Sequence, residues 1–157
     1  MYNNFSKIVN NFYLIKNQDS KTLIDILSNK KIDLSSYDDL NNYVSNNIAV
    51  VKSNELRGAI NIESGKLIIP TKYNYLDINT HYIKGNLPDS RLSDLYTLNG
   101  DLLYKNISFI KNLNSNYYYS KVTSGGKMGL MYKGEELIPT EYDQIIDFSK
   151  SLYVLVK

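Results

Sequence analysis

The chain has no cysteine and no tryptophan, and its 157 residues include a single histidine, His81. The absence of cysteine excludes disulfide bonds, zinc–thiolate centres and cysteine nucleophiles. With one histidine there is no second imidazole for a metal site, and no Gly-x-Ser-x-Gly motif presents a serine nucleophile. The composition therefore favours a protein that is not an enzyme, and we expect no cofactor and no small-molecule substrate.

Long apolar runs are also missing. Asparagines interrupt the N-terminal segment, which lacks the apolar stretch of a signal peptide. No segment approaches the roughly 20 apolar residues that a membrane helix needs. These absences predict a cytoplasmic protein without a membrane partner.

Arginine is scarce, since only Arg57 and Arg91 are present, and the formal net charge is +2. Surfaces that clamp phosphate groups usually rely on arginine forks and on a concentrated basic stripe. Nucleic acid is therefore an unlikely partner. A hydrophobic content of 43% is ordinary for a globular chain and allows a buried core.

In the first 47 residues, apolar side chains recur three and four positions apart, a spacing typical of amphipathic helices. Ser35 and Asp38 have the spacing of a capping box that opens the third of these helices. The residues predicted to face inward are Phe5, Ile8, Val9 and Phe12; Leu23, Ile26 and Leu27; and Tyr37, Leu40 and Val44.

From residue 48 the segments are shorter and richer in β-branched and aromatic residues, which is typical of strands. Turn glycines recur at Gly65, Gly100 and Gly134, with separations of 35 and 34 residues. A fixed period of this size indicates a repeat array, and each glycine-containing turn predicts a β-hairpin. The predicted repeat units are about 50–84, 85–122 and 123–157.

One phrase occurs twice, as KLIIPTKYNYL and as EELIPTEYDQI. Pro70 and Pro139 lack a backbone N–H, so we expect them to stop the pairing of the hairpin strands and turn the chain. Tyr73 and Tyr142 follow three residues later and are predicted to pack back over the hairpin.

These patterns together predict an α+β fold. A short helical N-terminal segment, residues 1–47, precedes an antiparallel β-hairpin repeat region, residues 48–157, of about three units.

The repeated residues resemble the WG-repeat family of bacterial proteins. The best match comprises Gly129, Leu130, Gly134, Leu137, Ile138, Pro139, Tyr142, Asp143, Ile145 and the closing LYVLVK. Gly58, Gly65 and Pro70 belong to a second, weaker match, and the middle unit is degenerate. The tryptophan of the motif is absent, and Arg57 and Met128 stand in its place.

The resemblance implies an interaction module without a shared catalytic motif. Small members of such families that are encoded beside toxin genes act as immunity proteins. This implies a non-catalytic protein that binds and occludes a cognate bacterial toxin domain, with a basic, nuclease-like toxin as the expected partner.

An acidic block near the C-terminus is the candidate binding site. A block of one charge sign can speed the encounter with an oppositely charged partner and fix its orientation. The predicted partner-binding residues are Glu135, Glu136, Glu141, Asp143 and Asp147 with Tyr142, extended by a second group, Asp38 and Asp39 with Tyr37.

Two alternatives remain open. A carboxylate-dependent hydrolase would require two acids from different units to meet, for example Asp77 with Asp147. A module that binds single-stranded nucleic acid would use the tyrosines interleaved with Lys105, Lys111 and Lys121.

Overall fold

The computed structural model describes residues 4–113, 119–149 and 152–157, and it describes the side chains of all of these except 42–43, 119, 147–149 and 152. The chain divides into two compact units, Met1–Asn74 and Tyr75–Lys157. Within the described residues every regular element is a β-strand. The described part therefore contains no helix that could span a membrane.

Unit 1 (Met1–Asn74) consists of two four-stranded antiparallel meanders, in which each strand pairs with the next strand along the chain. The first meander contains β1 (Asn4–Val9), β2 (Phe12–Lys16), β3 (Lys21–Asp25) and β4 (Lys30–Asp33). The second contains β5 (Asp39–Ser45), β6 (Ile48–Ser53), β7 (Leu56–Asn61) and β8 (Leu67–Tyr73).

The predicted α+β fold is wrong, because the N-terminal residues expected to be helical form β1 to β5 and the described chain is all-β. Part of the helical spacing came from counting across a hairpin turn. Val9 and Phe12 are three positions apart because they face each other across a two-residue turn. Ile26 and Leu27, predicted to face inward, lie in the turn after β3 and are 51% and 82% exposed.

Asparagine pairs form tight turns between the strands that are found where helices were predicted. Asn46 and Asn47 both adopt positive φ, 52° and 60°, between β5 and β6. Asparagine tolerates this left-handed region better than most residues, and two successive residues with positive φ suit the twist of a hairpin. The turn between β1 and β2 likewise contains Asn10, with φ of 48°.

The core of unit 1 is built from alternate strand positions. Leu14 on β2 and Leu23 on β3 are register partners and are both fully buried. Each such leucine contributes about 1.5–3 kcal/mol through removal of its side chain from water. The buried residues packed with them are Phe12, Ile32, Leu34, Leu40, Ala49, Val51, Ile60 and Ile62.

Unit 2 (Tyr75–Lys157) consists of a seven-stranded antiparallel meander and a separate two-stranded hairpin. The meander contains β9 (Tyr75–Ile78), β10 (Ile83–Asn86), β11 (Ser93–Tyr96), β12 (Leu102–Asn112), β13 (Tyr119–Ser124), β14 (Lys127–Tyr132) and β15 (Glu135–Tyr142). The hairpin contains β16 (Gln144–Ser149) and β17 (Leu152–Val156). The hairpins predicted around Gly65, Gly100 and Gly134 are confirmed as β7–β8, β11–β12 and β14–β15.

The repeated phrase forms the same β-bulge in both units. In unit 1, Ile69 pairs with Ala59 and Tyr73 pairs with Arg57, so residues 70–72 lie opposite a single residue, Gly58. In unit 2, Ile138 pairs with Leu130 and Tyr142 with Met128, so residues 139–141 lie opposite Gly129. The prediction that the proline stops strand pairing and turns the chain is therefore wrong. Each proline lies in a bulge, where its missing N–H breaks no ladder hydrogen bond.

The glycine opposite each bulge is required by space. A Cβ at Gly58 would lie 2.6 Å from the Ile69 carbonyl oxygen and 2.8 Å from the Thr71 methyl group. A Cβ at Gly129 would lie 2.7 Å from the Ile138 carbonyl oxygen and 2.8 Å from the Thr140 methyl group. Any other residue would have to displace backbone, so the glycine and the Ile-Pro-Thr bulge form one structural unit.

The degenerate middle repeat builds a smaller bulge by other means. Asp94, which is 1% exposed, occupies the glycine position on β11, and two residues of β12 lie opposite it instead of three. The Asp94 carboxylate accepts a hydrogen bond of 3.0 Å from the backbone N–H of Asn106, which has φ of 56°. In the repeat that has lost the glycine and the proline, a side-chain carboxylate thus accepts the hydrogen bond of a backbone N–H in the bulge.

We expect Gly129→Ala to lower the free energy of unfolding by about 3 kcal/mol, because the added methyl group overpacks a site closed by backbone atoms. Urea unfolding followed by circular dichroism measures the loss. Gly125→Ala is the control, because no atom lies within 4 Å of its Cβ position. Only its φ of +58° opposes substitution. This backbone strain should cost about 1–2 kcal/mol. Equal losses for the two variants would contradict the steric account.

Candidate functional site

Most of the predicted acidic block lies on β15, which is the terminal strand of the seven-stranded sheet in the described part of the chain. Asp143 follows this strand, and Asp147 belongs to β16. Four of the exposed residues of this strand are Glu135, Leu137, Pro139 and Glu141. The residues that alternate with them from Leu137 onwards are half-buried, namely Ile138, Thr140 and Tyr142. Glu136 is exposed as well. We name the four residues Glu135, Leu137, Pro139 and Glu141 the β15 outer face after their shared exposure. Along the chain, its two apolar residues lie between its two acidic ones.

Lysines lie beside two of the predicted acids. The Glu141 carboxylate is 3.0 Å from the Lys157 ammonium, and the Asp143 carboxylate is 2.6 Å from that of Lys127. The hydrogen bond and charge of Lys157 lower the pKa of Glu141, and Glu141 raises the pKa of Lys157 in return. Both pairs are exposed to solvent, so each contributes little stability and its members can exchange partners.

Glu136 has a structural contact that the sequence did not reveal. The Tyr104 hydroxyl on β12 donates a hydrogen bond of 2.7 Å to the Glu136 carboxylate. Burial of Tyr104 and this contact with Glu136 raise the pKa of the phenol well above its usual value. Glu136 therefore links β15 to β12, and a change there affects the sheet as well as the surface.

The second predicted group lies in unit 1, and its members have structural contacts there. Asp38 accepts a hydrogen bond of 2.7 Å from the backbone N–H of Asn54, and Asp39 lies 3.0 Å from the ammonium of Lys16. Tyr37 is partly buried against the unit 1 core.

The side chain of Asp147 lies outside the described residues, so the pairing of Asp77 with Asp147 stays a prediction. Asp77 itself is exposed on β9, the strand at the other end of the seven-stranded sheet from β15. Within the part of the chain that the structure describes, no three His, Asp or Glu side chains come together as a set of metal ligands.

The residues proposed for stacking on nucleic acid are only partly described. Lys105 and Lys111 are exposed on β12, and Lys121 is half-buried on β13. Residues 114–118 and the side chain of Tyr119, which carry most of the tyrosine cluster, lie outside the described set.

Sequence reasoning missed two grooves. The groove in unit 1 has a volume of about 460 Å³, and Asp39, Lys52 and Arg57 form one row of register partners along it, across β5, β6 and β7. The Lys16–Asp39 ion pair lies on its wall. This groove is therefore strongly polar.

The groove in unit 2 has a volume of about 330 Å³ and occupies the corresponding position in its repeat. Phe109, Thr123 and Met128 form the matching row across β12, β13 and β14. Ile145 and Ile146 of β16 complete an apolar lining. We name this the Met128 groove.

The signal for both grooves was the missing tryptophan. Arg57 and Met128 immediately precede the two sterically required glycines and replace the motif tryptophan. Both line the groove of their repeat. The sequence showed the substitution, but the space beside it became visible only in the fold.

A family model described as WG containing repeat matches residues 132–157, which supports the WG-repeat resemblance for β15 to β17. No curated protein sequence matches the chain.

Among solved structures, Hsv2 from Kluyveromyces marxianus is 12% identical with a TM-score of 0.40; the match covers 82% of this chain and 44% of that one. Hsv2 from Kluyveromyces lactis is 12% identical with a TM-score of 0.41, covering 87% and 51%. The chain thus spans about half the length of these structures.

We expect Tyr104→Phe to lower the free energy of unfolding by about 0.5–1.5 kcal/mol, because the substitution removes the hydrogen bond that the buried phenol donates to the exposed Glu136 carboxylate. Glu136→Gln keeps an acceptor for the hydroxyl and should cost less. Urea unfolding at pH 7 measures both variants. An unchanged unfolding midpoint for Tyr104→Phe would show that the hydrogen bond does not stabilise the sheet.

Proposed function

We propose that this chain is a non-catalytic protein-binding module that uses the β15 outer face to occlude a basic partner, most concretely as an immunity protein against a cognate toxin domain in the bacterial cytoplasm. The observation that carries the proposal is the surface chemistry of β15. Leu137, which is 55% exposed, and Pro139 lie between Glu135 and Glu141 on a terminal strand.

An apolar centre with a charged rim is the common composition of a protein–protein interface. Leu137 and Pro139 would supply the desolvated centre of the contact. The two glutamates would supply charge at the rim, where complementary charge mainly raises the association rate and fixes orientation.

The lysines beside this face are compatible with such a role. Glu141 pairs with Lys157 in an exposed geometry, and a basic partner can compete for that carboxylate at small cost. The lowered pKa of Glu141 keeps it ionised at neutral pH. Glu135 is exposed at the start of the strand, next to the hairpin turn.

The toxin assignment rests on the WG-repeat resemblance and is tested first. We would co-express the chain with the C-terminal domain of the protein encoded immediately upstream, and measure both co-elution and survival of the cells. A one-to-one complex that rescues growth supports the immunity role. A toxic domain that the chain neither binds nor neutralises would refute that role for the pair.

We expect Glu135→Lys to slow association with a basic toxin domain by about tenfold at low salt and to flatten the dependence of the rate on ionic strength. Asp19→Lys makes the same charge change at an exposed position of unit 1 and is the matched control. Surface plasmon resonance at several salt concentrations measures both variants. If the two variants associate equally fast, the β15 outer face is not the docking surface.

A further inference from the structure

The Met128 groove combines an apolar floor with two cationic groups. Phe109 is 59% exposed and Ile146 is 46% exposed, although both line a concave surface. Exposed apolar side chains gathered in a groove mark a place where another apolar group can be buried. Lys111 and Lys121 belong to the same lining.

One of the two lysines is held in place by a backbone contact. The Lys121 ammonium donates a hydrogen bond of 2.7 Å to the carbonyl oxygen of Ile145, which holds it at the junction of β13 and β16. Lys111 faces Lys121 in the register of β12 and β13. No acidic side chain is among the described residues that line the groove.

Two lining residues favour an aromatic occupant. Phe109 presents an exposed ring, and Met128 lies in the same row across β12, β13 and β14 and carries a thioether. Aromatic rings pack favourably against one another and against thioether sulfur. An aromatic ring supplied by another molecule can occupy this groove.

We propose that the Met128 groove binds a segment of a partner protein in which an aromatic side chain is followed by an acidic residue. The ring packs against Phe109, Met128 and Ile146, and the carboxylate pairs with Lys111 and Lys121. The corresponding groove of unit 1 differs in chemistry, since Arg57 replaces Met128 and Asp39 replaces Phe109, so this specificity belongs to unit 2 alone. The required charge is opposite to that of the partner of the β15 outer face, so the two sites select different segments.

The probe is the blocked dipeptide acetyl-Trp-Glu-amide, titrated into the ¹⁵N-labelled full chain and followed by two-dimensional NMR. We expect saturable shifts of the backbone amides of Thr123, Met128 and Ile145. Acetyl-Trp-Gln-amide should bind about two- to fivefold more weakly, the range for one exposed ion pair. Acetyl-Ala-Glu-amide should give no saturable shifts, because it lacks the ring.

Met128→Trp should abolish the shifts by filling the groove from within, because residue 128 lines it. Arg57→Trp is the matched control, since it makes the equivalent change in unit 1 and should leave binding in unit 2 unchanged. Lys111→Glu should remove the preference for glutamate over glutamine while the chain stays folded, and it provides an independent test should Met128→Trp fail to fold.

Absence of saturable shifts with acetyl-Trp-Glu-amide would overturn the proposal. Equal affinity for the glutamate and glutamine probes, or unchanged binding in a folded Met128→Trp variant, would do so as well. None of these results depends on the toxin complex, so the groove and the immunity role can fail separately.

Discussion

The close approach of an Ile-Pro-Thr bulge to a glycine is the constraint on which the repeat depends. At Gly58 and at Gly129 the carbonyl oxygen of the facing isoleucine lies where a side chain would begin. The bulge absorbs the proline, which could not donate to a ladder hydrogen bond, and it places a tyrosine three residues later opposite the residue before the glycine. The phrase is thus repeated in the sequence because both repeats meet the same steric requirement.

The repeat region could be predicted because its signals are local and chemically specific. Gly65, Gly100 and Gly134 marked hairpins that the structure contains. The N-terminal strands could not be predicted from apolar spacing, since residues that face each other across a two-residue turn, such as Val9 and Phe12, are also one helical turn apart. The asparagine pairs were the better signal, because asparagine adopts the positive φ of tight turns.

The candidate binding site stays a prediction. The exposure of Glu135 and Glu141 fits a surface role, but Lys157 and Lys127 lie beside the block only because β17 and β14 are brought near it by the fold. The grooves could not be foreseen, since each needs a residue from outside the row of consecutive strands that forms it, Lys16 of β2 in unit 1 and Ile145 and Ile146 of β16 in unit 2. Backbone atoms require the glycine in both repeats, whereas the residue before it is Arg57 in one repeat and Met128 in the other, and this residue lines the groove.

Every sheet neighbour in the described structure is also a chain neighbour, from β1–β2 through to β16–β17. All-β proteins usually fold slowly because distant segments must find each other before any pairing energy is gained. Here no described strand pairs with one from a distant part of the sequence, so the entropy lost on closing each loop stays small. A chain emerging from the ribosome can therefore form each hairpin as soon as its second strand appears, and the order of synthesis can serve as the order of folding.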